Sequence, residues 1–134
     1  MRTLLVGLLL ACSACAQSGP QGTWSAPVEY QDARTGGQAQ DEFVMTLADG
    51  EADHSLIGTV VVSGVTMDAA GSWTPSPDGG ISVAVDFVAP GIDGGPFDGV
   101  SGTCHLFGDA EGDSMPAKFT GPQISGQLTL TRKR

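Results

Sequence analysis

Apolar and polar positions alternate along most of this chain with a period of two, the spacing that places successive side chains on opposite faces of a strand. Trp24, Ala26, Val28 and Tyr30 share one phase, Phe43, Met45 and Leu47 another. Ile81, Val83, Val85 and Phe87 alternate with Ser82, Ala84 and Asp86 in the cleanest run of the molecule. Leu56–Val62 is a largely apolar strand, and Met115, Ala117, Phe119 and then Ile124, Leu128, Leu130 mark the last two. Phe97–Phe107 reads as a sixth strand with glycines at 99 and 102. Between the third and fifth strands, Val65–Met67 and Ser72–Thr74 flank Asp68-Ala69-Ala70-Gly71, so one or both belong to a fourth strand of open register.

Turn signals separate these runs. Gln31–Gln40 reads as a polar loop, Ala48–Glu51 and Pro75–Gly80 as turns, and Ala89–Pro96 as a Pro/Gly loop. No stretch sustains a helical period. Eight short strands joined in sequence by hairpin-length turns predict an all-β fold, a small eight-stranded antiparallel up-and-down barrel, with a two-sheet sandwich as the alternative. Closure disposes of the unpaired edges that an open sheet of this size leaves.

The N-terminus follows different rules. Arg2 and the apolar run Leu4–Leu10 form the charged and hydrophobic regions of an export signal. The run is far too short for the roughly twenty residues of a spanning helix. Leu9-Leu10-Ala11-Cys12 resembles the bacterial lipobox, which implies diacylglyceryl transfer to Cys12 and cleavage before it; Cys15, after Ala14, is the alternative. The expected organisation is a signal over 1–11, a small and polar tether over 12–21, and a barrel over 22–134. Lipid attachment implies the bacterial cell envelope, at the outer membrane or cell surface.

Charge narrows the partners. Six Lys and Arg against fifteen Asp and Glu give a net charge of −9, and such a surface repels nucleic acid. Cys104 is left alone or with Cys15 as partner; a buried, unpaired thiol is the expectation. The Asp49-Gly50-Glu51-Ala52-Asp53 and Asp109-Ala110-Glu111-Gly112-Asp113 turns are carboxylate-rich, yet neither matches a calcium loop, and solvated turns account for them. His54 and His105 are the only histidines, and strand phase puts Cys104 inward and His105 outward, so this pair does not form a nucleophile–base dyad. No G-x-S-x-G, P-loop or H-E-x-x-H is present. The expectation is a protein that is not an enzyme and uses no cofactor or metal.

Gly22-Thr23-Trp24 on the first strand, with Arg132 in phase with Leu128 and Leu130 on the last, resembles the structural signature of the calycins, the lipocalin and avidin group. The resemblance implies that Trp24 packs at the closed end of a barrel beneath Arg132, and that the barrel holds a small apolar ligand. Met45, Val60, Val83, Val85, Phe87 and Leu128 are the lining candidates. With two tryptophans and no asparagine, the resemblance does not extend to avidin's polar site. Val85-Asp86-Phe87 and Ala117–Pro122 followed by Ser125-Gly126 also resemble phrases of transferrin-binding-protein-B-like barrels, without that family's glutamate after Gly-Pro. Transferrin and haem are not carried over. The other functional expectation is a protein-interaction or inhibitor module at the membrane surface, using the Gln31–Gln40 and Ala89–Pro96 loops.

Overall fold

The computed structural model describes residues 19–31, 35–122 and 124–133. Every named element among them is a strand: β1 (Gly22–Gln31), β2 (Gln38–Asp49), β3 (Ser55–Val62), β4 (Val65–Pro75), β5 (Ile81–Pro90), β6 (Ser101–Ala110), β7 (Ser114–Gly121) and β8 (Ile124–Lys133). Each strand pairs antiparallel with the next and β8 returns to β1, giving a closed barrel in up-and-down order. The signal over 1–11, the candidate lipidation residues Cys12 and Cys15, and positions 32–34 of the first long loop lie outside the described residues.

The period-two reading selects the inward face. Trp24, Phe43, Met45, Val60, Val85, Phe87, Leu106, Met115 and Leu130 all belong to one buried cluster. Burying such side chains contributes about 1.5–3 kcal/mol each, and this supplies most of the drive for closure.

Three expectations are corrected. The fourth strand is single and continuous, because Met67, Ala69, Gly71 and Trp73 keep one inward phase through the apparent turn. Gly71 pairs with Val85, and a Cβ at Gly71 would lie 1.9 Å from the Ala84 carbonyl oxygen. The glycine thus permits a close approach of two backbones. Gly71→Ala is expected to destabilise by at least about 2 kcal/mol in urea unfolding. Next, Gln31–Gln40 is not loop throughout, since pairing runs out to Gln31↔Gln38. Last, the sixth strand begins at Ser101, so Phe97 lies in the β5–β6 loop.

Closure is brief. The β1–β8 seam consists of Thr23↔Lys133, Trp24↔Arg132 and Ser25↔Thr131, and Pro27, without an N–H, follows at once. Inward residues of β8 beyond the seam, Ile124, Gly126 and Leu128, are only half-buried. A similar lapse occurs between β6 and β7. Their register runs from His105↔Thr120 to Gly108↔Ala117 and resumes at Glu111↔Ser114, stepping over Pro116.

Candidate functional site

The end of the barrel that carries the seam is built around Trp24 and Arg132. Trp24 is fully buried, and its indole Nε1–H donates to the Pro20 carbonyl at 2.8 Å. The Arg132 guanidinium lies 4.5 Å from the indole centroid. Its Nη1 donates to the Gln21 carbonyl at 2.9 Å and Nη2 to the Gly112 carbonyl at 3.1 Å. Asp113 Oδ1 lies 3.4 Å from Nε as an ion pair. The arginine therefore ties three segments, residues 19–21, β8 and the β6–β7 turn, over one aromatic face. Gly22 is required beneath it: its φ is +125°, and a Cβ there would meet Arg132 Cδ at 3.3 Å.

The opposite end is closed from a loop. The chain from Gly91 to Val100 turns back on itself through Gly91 N–H to Val100 O at 3.0 Å and Gly99 N–H to Ile92 O at 2.8 Å. This drives Phe97 into the barrel. Its ring lies 6.3 Å from Phe43, 6.2 Å from Phe87 and 5.5 Å from Phe119, centroid to centroid. Ile92 and Val100 are buried beside it. Sequence phase gives no reason to place a loop phenylalanine inside; the four glycines at positive φ, 91, 94, 95 and 99, are the signal that the segment folds sharply.

The candidate lining residues are thereby located. Met45, Val60, Val83, Val85 and Phe87 are members of the packed core, and Leu128 is a half-buried residue packed against it. They share the lumen with the aromatic group of Phe43, Phe97 and Phe119.

Outside the barrel, a shallow depression crosses β4 to β8, with Ala84, Phe107, Pro116, Lys118 and Gln127 on its walls. Phe107 is 56% exposed, and the His105 ring stacks near it at 6.5 Å. His105 Nδ1 is held 2.6 Å from Asp86 Oδ1 across the β5–β6 ladder. Cys104, by contrast, is free and fully buried, so the adjacent pair points to opposite faces as the strand period requires. Desolvation pushes the Cys104 thiol above its ordinary value of 9.0. An alkylating reagent at pH 8 is expected to label Cys104 only upon unfolding, followed by mass spectrometry in rising urea. Because the folded value is raised, the thiol's contribution to stability is present below pH 9.0 and is lost as pH rises past the unfolded value.

The two acidic turns lie at the Trp24 end and differ in their partners. Asp109 receives Ser82 Oγ at 3.1 Å and Asp113 pairs with Arg132. Asp49, Glu51 and Asp53 instead surround a recess with Gln21, His54 and Trp73. His54 there holds a φ of +60°, uncommon for a residue with a side chain. Among the described residues, no three His, Cys, Asp or Glu side chains converge as a metal-binding group.

The fold so built is a closed eight-stranded antiparallel barrel, compatible with the calycin-like class. Comparison of the chain with family models, with curated proteins and with solved structures finds no match.

Proposed function

We propose that this chain is a lipid-anchored, non-catalytic module of the bacterial cell envelope that contacts a partner protein through the outer wall of its barrel. One observation carries the choice of surface. The lumen is occupied by the chain's own phenylalanines, whereas Phe107 stands exposed beside a depression on the outer wall. An exposed aromatic on a rigid sheet offers contact area at low entropic cost. The net charge of −9 favours approach of a partner that is basic overall. Absence of catalysis is supported by the separation of Cys104 from His105 across the wall. Anchoring rests on the Leu9-Leu10-Ala11-Cys12 signature, with Cys15 as the alternative site.

A second reading, a small apolar ligand held among Met45, Val60, Val83, Val85, Phe87 and Leu128, is favoured by one feature: the ring that fills this space arrives on a loop rather than a strand. Photocrosslinking in intact envelopes tests the first reading. A crosslinker at position 107 is expected to trap a discrete basic partner that one at exposed Ile57 does not. Equal or absent trapping at both positions defeats it. A lipid-sized adduct on protein purified from its own host, seen by native mass spectrometry, puts the second in its place.

A further inference from the structure

We infer that the edge of β8 beyond the β1–β8 seam takes an extended segment of a partner chain as an added antiparallel strand. The seam stops after Ser25↔Thr131, although β1 runs on to Gln31 and β8 begins as early as Ile124. Both strands keep an unbroken register with their other neighbours, β2 and β7. Over 26–31 and 124–130 each strand therefore has one edge without a ladder partner among the described residues.

The direction of the unpaired groups can be counted. Arg132 N–H donates to Asp113 O at 2.8 Å, so Arg132 turns its backbone groups to the β7 side. In an antiparallel ladder these groups change side at each residue. Thr131 and Lys133 therefore face β1, and Ser125, Gln127 and Thr129 face the open edge. On β1 the same count turns Thr23, Ser25 and Pro27 toward β8. Continuing the seam register sets Pro27 against Thr129, where the ladder requires an N–H that proline lacks. That missing donor ends the seam. The two edges are not equivalent. β1 carries Pro27 and Glu29, a proline and a charge of the kind that blunts an edge. On β8 the corresponding residues, Ser125, Gln127 and Thr129, are neither.

A second feature coincides with the bare edge. Val28 on one side of the gap, and Ile124 and Leu128 on the other, are only half-buried against the core. Water satisfies the backbone groups but leaves these apolar side chains uncovered. A strand laid along β8 does both, because every second side chain of it faces inward. The inward residues of the occupant are accordingly apolar. Charge sets the outward ones. A second copy would bring −9 against −9, and Glu29 stands exposed across the gap, so the fitting partner segment is basic on that face. The inference rests on the β8 backbone and not on Phe107, which lies two strands away on β6.

Nitrogen-15 spectra of the full chain test it, with a capped heptapeptide of alternating lysine and valine as the probe. In the free protein the Gln127 and Thr129 amides are expected to exchange with solvent faster than those of Leu128 and Leu130, which face β7. The peptide is expected to shift the Gln127 and Thr129 resonances saturably and to slow their exchange. An antiparallel strand aims the amides of its outward residues at β8. N-methylation of the peptide's lysine amides is thus expected to weaken binding at least about tenfold, and N-methylation of its valine amides to leave it unchanged, with charge the same in both. Gln127→Pro, which removes an edge donor and spares the β7 ladder, is expected to weaken it likewise. Pro27→Val returns the donor opposite Thr129, and is expected to extend the seam and exclude the peptide. A free-protein Thr129 amide as protected as that of Leu130 overturns the inference. So does a peptide that moves neither resonance, or two methylated peptides that bind alike.

Discussion

Trp24→Ala is expected to lower the stability of the folded chain by about 3–5 kcal/mol, read from urea unfolding followed by far-ultraviolet circular dichroism. Three losses coincide at this residue. The fully buried indole leaves a cavity among core side chains, the Pro20 carbonyl loses its donor, and the Arg132 guanidinium loses the face it covers. The last term is about 0.5–2 kcal/mol, and the cavity is the dominant one. Position magnifies the effect, because Trp24↔Arg132 is the middle pair of a seam only three pairs long. Total stabilities of such domains are about 5–15 kcal/mol, so the variant is expected to sit near the threshold of folding. Arg132→Met, which keeps an apolar stem but removes the charge, separates the terms and is expected to cost about 1–2 kcal/mol. A Trp24→Ala cost below about 1 kcal/mol would show that the seam does not depend on the indole.

How much of this was legible in the sequence depends on which side chains carry the period. Ile81–Phe87 declares itself because large apolar residues alternate with polar ones, and the structure places Val83, Val85 and Phe87 in the core accordingly. In β4 the same alternation is carried by Met67, Ala69, Gly71 and Trp73. Two small residues in the middle erase the hydrophobic contrast, and Asp68-Ala69-Ala70-Gly71 then imitates a turn. Pairing with β3 and β5, a long-range property, keeps the strand continuous through it. The stack of Trp24 and Arg132 was legible because each residue's phase could be counted from its own strand. The recess at Trp73 is not, although its acidic turn is plain, because the segments that meet there, residues 19–21, 49–54 and 73, are brought together only by the pairing of β1 through β4. Phe97 reads as a strand residue for a related reason: period-two reasoning has no means of sending a loop side chain inward.

Phe97→Ala is the sharper test of the lumen, with an expected cost of about 3–5 kcal/mol. The ring is 1% exposed and touches aromatic neighbours contributed by β2, β5 and β7. Its loop is braced by its own backbone, with Val100 N–H bonded to Phe97 O at 3.0 Å and Gly99 N–H to Ile92 O at 2.8 Å. Truncation of the ring therefore leaves the loop in place and a void behind it, rather than a collapse that refills the space. A void lined by Phe43, Phe87 and Phe119 is apolar, and such cavities stay dry and admit small apolar molecules. The variant is accordingly expected to bind benzene, seen as a rise in melting temperature with ligand concentration, while the parent protein shows none. A small cost with no uptake would mean that the loop collapses inward, and that the barrel interior is held by the strands alone. Uptake by both proteins would mean that the loop already swings clear in the parent, and the apolar-ligand reading would then outrank the partner surface at Phe107.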